Sequence, residues 1–187
     1  MEAFLISMMA VAAAEFGDKT QFLALLFAAR FRRPLPIILG MMASSVANYT
    51  LACTLGVWIR DHLNGQYLHW SLGLLFLGVA IWFLQPERQE SEPRVFGRFG
   101  AFGTAFVTFF LTEMGDKTQI AAVILAVKFN TLIPVIAGTT LGVMLVNTPI
   151  IVLGNAAGTR LPVRAVRFIG AAIFGGLGVL SLSGFSF

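Results

Sequence analysis

Long apolar runs alternate with short polar segments along this chain of 187 residues. A transmembrane helix needs about 20 mostly apolar residues, and six runs come close to that requirement or exceed it. The predicted spans are residues 3–29, 35–59, 68–84, 99–127, 132–156 and 164–184. We therefore predict an all-α integral membrane protein with six transmembrane helices, forming a single membrane domain over residues 1–187.

One long polar interruption divides the apolar pattern, at residues 85–98. This segment is rich in charged residues and contains Pro86 and Pro93, so we predict an aqueous linker. The first apolar run has no basic segment before it and carries charges in its middle. A cleavable signal peptide has the opposite pattern, so we interpret this run as a permanent span.

Composition supports a lipid environment. Hydrophobic residues make up 57% of the chain and charged residues only 12%, against roughly 25% charged in soluble domains. The net charge of +4 could suggest a nucleic-acid partner. The basic residues lie in short loops between apolar runs, and this placement argues against nucleic acid. Cys53, the single cysteine, lies within an apolar run and is expected to pack there.

Basic residues are distributed unevenly between the two sides that six spans define. Nine lie in the loops after spans 1, 3 and 5 or at the adjoining start of span 6, and two lie on the other side. The larger group is Arg30, Arg32, Arg33, Arg88, Arg94, Arg98, Arg160, Arg164 and Arg167, and the smaller group is Arg60 and Lys128. Positively charged loops stay in the cytoplasm, so we predict a cytoplasmic linker and both termini outside.

The chain also repeats itself when it is shifted by 98 positions. Identical residues then coincide in all three spans of each half, and they include Phe4/Phe102, Glu15/Glu113, Asp18/Asp116, Pro36/Pro134, Gly40/Gly138, Thr50/Thr148 and Phe76/Phe174. We assign residues 1–84 to repeat one and residues 99–187 to repeat two. Units with three spans insert in opposite orientations, which predicts the 3+3 inverted-topology repeat of secondary transporters.

Four acidic residues lie inside the predicted spans. They are Glu15, Asp18, Glu113 and Asp116. A charged side chain at the bilayer centre costs roughly 2.5–3.5 kcal/mol on insertion scales, so such residues usually have a function. The spacing i, i+3 in a continuous helix would place each Glu–Asp pair on one face, with Gln21 or Gln119 close by.

Other residues of the two motifs are predicted to support this acidic site. Gly17 and Gly115 would allow close helix approach or a local opening of the helix. The runs that hold them have 27 and 29 residues, roughly 40 Å of helix against a core of about 30 Å. A tilt, a kink or a break would accommodate this length. The remaining supporting residues are Lys19, Thr20, Lys117, Thr118, Asn48 and Asn147.

The side chains of the motifs offer oxygen ligands and no histidine or cysteine. Such a set suits hard cations, namely Ca²⁺, Mg²⁺ or Mn²⁺. Four ionised carboxylates and two lysines sum to a charge of −2. One divalent cation or two protons neutralise that charge, which suggests cation/proton antiport as a hypothesis.

Simpler interpretations exist for several of these residues. Glu15 and Lys19 could form an ordinary i, i+4 helix pair. Gln21 and Gln119 could hydrogen-bond to each other instead of binding a cation. Asn48 and Asn147 could instead each form a hydrogen bond that joins two membrane helices.

The two motifs, Glu15-Phe16-Gly17-Asp18-Lys19-Thr20 and Glu113-Met114-Gly115-Asp116-Lys117-Thr118, resemble those of the manganese/calcium cation-exchanger family. The resemblance covers essentially the whole chain and is greatest to the bacterial manganese exporters. It implies export of Mn²⁺, or alternatively Ca²⁺, against protons across the bacterial inner membrane. It also implies that the motif acids bind the transported cation, with no further cofactor.

Two alternatives come from other classes of protein. Asp18 and Asp116 could form the dyad of an intramembrane aspartyl protease, but a protease does not require the glutamates, the lysines or symmetric halves. A passive cation channel could use the same acids without coupling to protons. The expected partners are the lipid bilayer and the transported ions, and the sequence does not predict the oligomeric state.

Overall fold

The computed structural model describes residues 1–62, 65–84, 99–153 and 163–183. These residues form eight α-helices and no strand, which confirms the all-α prediction for this part of the chain. The helices are α1 (Glu2–Glu15), α2 (Lys19–Phe31), α3 (Pro34–His62), α4 (Gly65–Leu84), α5 (Gly100–Glu113), α6 (Lys117–Phe129), α7 (Ile133–Leu153) and α8 (Val163–Leu182). The predicted linker at 85–98 lies outside the described residues.

Four of the six predicted spans correspond to single helices, namely α3, α4, α7 and α8. For spans 3–29 and 99–127 the length left a tilt, a kink or a break open, and the structure shows a break in both. Each of these runs is divided into two helices, α1 with α2 and α5 with α6, and both divisions fall inside the acidic motif. By length and composition, α3 and α7 could each cross a membrane, and α4 and α8 contain shorter apolar stretches.

The divided helices pack against α3 and α7 in a reciprocal way. Helix α1 packs along α7, and α5 packs along α3. These contacts are close because glycine lies at each crossing. A Cβ atom added to Gly40 would be 2.5 Å from the carbonyl oxygen of Phe102, and one added to Gly138 would meet the carbonyl oxygen of Phe4. The absence of side chains at these positions lets the backbones touch and fixes α1 and α5 beside α7 and α3.

Two hydrophobic clusters contain different halves of the divided helices. The larger cluster contains residues from α1, α3, α4, α6, α7 and α8, including Ala10, Phe76, Leu125, Val143 and Phe174. The smaller cluster contains residues from α2, α3, α5 and α7, including Leu23, Phe27, Ile37 and Phe109. The first half of one divided helix therefore packs with the second half of the other.

Polar contacts at the end of α6 show which helix ends lie together. The Arg60 guanidinium, near the end of α3, donates to the carbonyl oxygens of Val127 at 2.6 Å and of Lys128 at 2.9 Å. Lys128 also interacts electrostatically with Glu2, at the start of α1. Arg60 and Lys128, which the charge distribution assigned to the same side, therefore lie at the same end of the helix bundle.

Candidate functional site

The first motif forms a break between two helices. Helix α1 ends at Glu15, and Phe16 is extended with φ −65° and ψ 120°. Gly17 follows with φ 76°, in the left-handed region that favours glycine. Asp18 then has φ −80° and ψ 163°, and α2 begins at Lys19. The glycine is required here because other residues are strained at this positive φ.

The second motif repeats this backbone almost to the degree. Helix α5 ends at Glu113, Met114 has φ −67° and ψ 120°, and Gly115 has φ 76°. Asp116 has φ −76° and ψ 163°, and α6 begins at Lys117. Two segments of related sequence thus form the same discontinuity at equivalent positions.

The break corrects the expectation that each Glu–Asp pair shares one helix face. Glu15 is the last residue of α1, whereas Asp18 caps the N-terminus of α2 and accepts from the Thr20 N–H at 3.5 Å. Asp116 caps α6 in the same way, accepting from the Thr118 N–H at 3.5 Å. The aspartates are thus placed at helix N-termini, where the backbone dipoles favour negative charge.

Each glutamine supports the break of its own repeat. The Gly17 N–H donates to Gln21 Oε1 at 3.1 Å, and the Gly115 N–H donates to Gln119 Oε1 at 2.6 Å. The sequence Asp-x-x-Gln is a helix-start signal of the capping-box type, which would have predicted the break. In the described structure these oxygens are bonded to glycine N–H groups, so the alternative that the two glutamines pair with each other is wrong.

The lysines of the motifs pair with aspartates of the opposite repeat. Lys19 Nζ lies 3.3 Å from Asp116 Oδ1, and Lys117 Nζ lies 2.9 Å from Asp18 Oδ1. The ordinary i, i+4 pair of Glu15 with Lys19 does not apply, because these residues belong to different helices. Two reciprocal ion pairs therefore join the two helix breaks.

The glutamates lie in different hydrogen-bonding environments. Glu15 Oε2 accepts from Thr20 Oγ1 at 2.6 Å and from Asn147 Nδ2 at 3.3 Å. The Ser45 hydroxyl donates to Glu113 and lies 3.4 Å from each of its carboxylate oxygens. Both glutamates are buried.

The two asparagines reach the motifs from α3 and α7. Asn147 Nδ2 donates to Glu15 Oε2. Asn48 interacts with Glu113, and its Nδ2 donates to the Phe110 carbonyl oxygen at 3.1 Å. Asn48 Oδ1 also accepts from Gln119 Nε2 at 3.4 Å. The hydrogen bond between helices that was the simpler interpretation of Asn48 is therefore present, and each asparagine in addition interacts with an acid of the motifs.

The structure brings the motif residues to one layer but keeps their carboxylates apart. In the part of the chain that is described, no three acidic, histidine or cysteine side chains are arranged to bind one metal ion together. Instead, each aspartate is held by a lysine and each glutamate by hydrogen bonds. The binding of a cation by Glu15, Asp18, Glu113, Asp116, Gln21 and Gln119 stays a prediction.

No part in the site was predicted from the sequence for Tyr49 or for Ser45. Ser45 contacts Glu113, as described above, and Tyr49 is fully buried close to the motif acids. The repeat supplies a signal for Tyr49, because a shift of 98 positions aligns it with Asn147.

Broken helices whose ends present buried charges at the centre of an apolar bundle are typical of secondary transporters, which bind ions at such discontinuities. The fold and the site therefore define a membrane transporter of ions. The profile of the family described as "Divalent cation/proton antiporter GDT1" matches residues 3–91 and 101–185, and the chain belongs to this family. The resemblance inferred from the two motifs is confirmed, and the family is one of transporters, not of proteases.

Individual relatives cover most of the chain. A protein of Vibrio cholerae named "Putative manganese exporter" is 42% identical over 175 residues, covering 93% of this chain and 87% of the relative. A GDT1-like protein 3 of Oryza sativa is 30% identical and covers 96% of this chain and 73% of the relative. A GDT1-like protein of Synechocystis is 26% identical, with 93% of each chain covered. No solved structure matches.

Proposed function

We propose that this protein exports Mn²⁺ across a bacterial inner membrane in exchange for protons. Family membership supports the exchange of a divalent cation for protons, and the 42% identity to the Vibrio cholerae protein supports manganese as the cation. Ca²⁺ is the alternative cation, since oxygen ligands bind both ions.

The proposed architecture is six spans in a 3+3 inverted repeat, with the first and fourth spans broken at their centres. Three observations support it: the register of 98 positions, the equal backbone angles at both breaks, and a family match that falls into two halves. In the proposed orientation both termini lie outside and the linker at 85–98 is cytoplasmic. Arg60 and Lys128 then lie at the outer end.

The observation that carries the proposal is the reciprocal pairing of Lys19 with Asp116 and of Lys117 with Asp18. In each pair the lysine ammonium lies beside an aspartate carboxylate, in the position that a bound metal cation would occupy. An ion that binds both aspartates must therefore displace both lysines, and the lysines can return when the ion leaves. The site would thus avoid leaving buried carboxylates without a counter-charge, which is costly in a membrane.

Charge balance then suggests the stoichiometry. The two Asp–Lys pairs are neutral, so the charge of −2 resides on Glu15 and Glu113 when both are ionised. One Mn²⁺ or two protons neutralise these glutamates. Exchange of one Mn²⁺ for two protons would keep the buried charge near zero in each loaded state.

Alternating access would use the two breaks as hinges. Within each broken span, the two helices pack in different hydrophobic clusters, α1 in the larger and α2 in the smaller. A change of angle at Gly17 and Gly115 would let one cluster move relative to the other while the motif residues stay between them. Opening would then alternate between the two ends of the bundle.

The test is ion flux into proteoliposomes of the purified protein under an imposed pH gradient. The wild type should move Mn²⁺ against its concentration gradient, whereas Glu15→Gln, Asp18→Asn, Glu113→Gln and Asp116→Asn should each abolish this movement. Asp61→Asn changes an exposed acid and should transport normally. Normal transport by any two of the four motif variants would refute a shared site.

The same assay separates the alternatives. A passive channel would only dissipate the Mn²⁺ gradient and would ignore the pH gradient. A protease would cleave a test helix added to the vesicles and would show no flux. Comparison of Mn²⁺, Ca²⁺ and Mg²⁺ at equal concentration identifies the cation.

A further inference from the structure

Tyr49, on α3, has a buried hydroxyl near the acidic residues of the two motifs. The residue is 0% exposed, and its ring packs in the larger hydrophobic cluster. Among the described residues its hydroxyl makes no hydrogen bond of ordinary geometry, although the Thr118 side chain lies near enough to interact with it. An unpaired buried hydroxyl is destabilising, so its retention in a packed helix bundle requires another explanation.

The surroundings of this hydroxyl are acidic. Tyr49 lies within electrostatic range of Glu113, Glu15 and Asp116, and beside the Thr118 side chain. These neighbours come from both motifs. A phenol O–H is a hydrogen-bond donor, and carboxylates are the strongest acceptors available to it.

The register of the repeat indicates which carboxylate could accept a hydrogen bond from Tyr49. A shift of 98 positions aligns Tyr49 with Asn147 and Glu113 with Glu15. Asn147 donates to Glu15 at 3.3 Å in this structure. In the register of the repeat, Tyr49 therefore occupies the position relative to Glu113 that Asn147 occupies relative to Glu15.

Glu113 has room for such a donor. The Ser45 hydroxyl is 3.4 Å from both of its oxygens, a long contact compared with the 2.6 Å bond from Thr20 to Glu15. Thr118, the counterpart of Thr20, is directed to Asp116 at 3.3 Å. The Asn48 side chain also interacts with Glu113, but the hydroxyl contacts of Glu113 are longer than the one that Thr20 makes to Glu15.

We propose that Tyr49 is a positioning residue for Glu113, donating a hydrogen bond from its hydroxyl to this carboxylate when the cation is bound. This inference rests on the proposed function. The two halves of the site then differ in chemistry. Asn147 has an unpaired carbonyl oxygen that can face the cation directly, whereas Tyr49 orients the glutamate that binds it.

The test compares Tyr49→Phe with the wild type and with Thr104→Val. Tyr49→Phe removes the hydroxyl and keeps the ring, so packing is preserved. Thr104 is also fully buried with an unpaired hydroxyl, but it lies nine positions before Glu113 in α5, away from the break. The control therefore measures what the loss of a buried, unpaired hydroxyl does by itself.

Three readouts are taken: the Tm in detergent, the increase in Tm on adding Mn²⁺, and the KM and kcat of Mn²⁺ transport. For Tyr49→Phe we expect an unchanged or higher Tm, a smaller Mn²⁺-induced increase, and a KM raised about tenfold or more, the loss expected for a hydrogen bond to a charged group. Thr104→Val should leave KM and the Mn²⁺-induced increase unchanged.

A wild-type KM and a wild-type response to Mn²⁺ in Tyr49→Phe would overturn the inference. So would a loss of several degrees in Tm without Mn²⁺, since it would show that the hydroxyl has a structural partner. If Glu113→Gln abolishes transport while Tyr49→Phe transports normally, the proposed function stands and only this inference fails. A wild type that moves neither Mn²⁺ nor Ca²⁺ against a gradient would overturn the proposed function, and this inference with it.

Discussion

Lys117 and Asp18 form an ion pair of 2.9 Å between the two broken helices, and both side chains are almost completely withdrawn from solvent, at 6% and 0% exposure. The equivalent pair, Lys19 with Asp116, has a distance of 3.3 Å and a lysine that is 21% exposed. Two pairs that the sequence makes equivalent are therefore not equally buried. The two ion pairs are asymmetric in their burial.

This asymmetry predicts unequal effects of one substitution at two equivalent positions. Lys117→Gln leaves Asp18 buried without its counter-charge, a change that costs about 3–5 kcal/mol for a buried pair. Lys19→Gln should cost less, because its partially exposed environment screens the remaining charge on Asp116. Thermal unfolding in detergent without added cation measures both variants. Equal Tm values, or a larger loss for Lys19→Gln, would contradict this order.

Gln21 is predicted to act on the helix break through its amide oxygen. Gln21→Ala removes the acceptor of the Gly17 N–H and should cost about 0.5–2 kcal/mol of stability, as for other helix caps. Gln21→Glu keeps an acceptor at that position and should retain most of the stability. If Gln21→Ala is as stable as the wild type, the oxygen does not support the break, and a role in binding the cation becomes the better interpretation.

Much of this fold can be predicted from the sequence because membrane spans depend on local hydrophobicity. The predicted span 35–59 lies within α3, and 132–156 agrees closely with α7. The breaks were also encoded locally, by Gly17 and by the Asp-x-x-Gln capping pattern. The length of the apolar run did not single out the break, because a tilted or kinked helix of the same length would also fit the bilayer.

The pairing across the site could not be predicted in the same way. Glu15 and Lys19 are close in sequence, so an i, i+4 contact was the natural alternative, but the break places Lys19 beside Asp116 instead. That contact depends on how the two repeats pack against each other. The role of Tyr49 is hidden for a related reason, since an aromatic residue in an apolar run normally indicates packing alone.

Because α3 and α5 cross closely at Gly40, even an alanine at this position should lower the stability of the protein. A Cβ in Gly40→Ala would lie 2.5 Å from the Phe102 carbonyl oxygen and 2.9 Å from the Ala105 side chain. Helices α3 and α5 must then separate, at a cost of about 1–3 kcal/mol. The matched control is Gly78→Ala in α4, where an added Cβ meets nothing within 4 Å. A similar Tm for the two variants would mean that α3 and α5 do not approach so closely.

The proposed orientation predicts which loops can be labelled from outside the cell. Cys53 is buried, and Cys53→Ala provides a background without cysteine. In that background, Asp61→Cys should react with a membrane-impermeant maleimide added to intact cells, whereas Arg33→Cys should react only after permeabilisation. Both original residues are exposed in the structure. Arg33 and Asp61 lie at the two ends of α3. Labelling of both positions from the same side would show that α3 does not cross the membrane, and would refute the proposed topology.

Electroneutral exchange at the two glutamates is the central claim, and one flux measurement tests it most directly. Proteoliposomes containing the wild type receive a Mn²⁺ gradient while K⁺ and valinomycin clamp the membrane potential, and an internal pH dye reports proton movement. We predict two protons moved for each Mn²⁺ in the opposite direction, a rate that does not change with the clamped potential, and no coupled movement in Glu15→Gln or Glu113→Gln. Mn²⁺ flux without proton movement, or a proton-to-Mn²⁺ ratio other than two with a rate that follows the potential, would contradict the account.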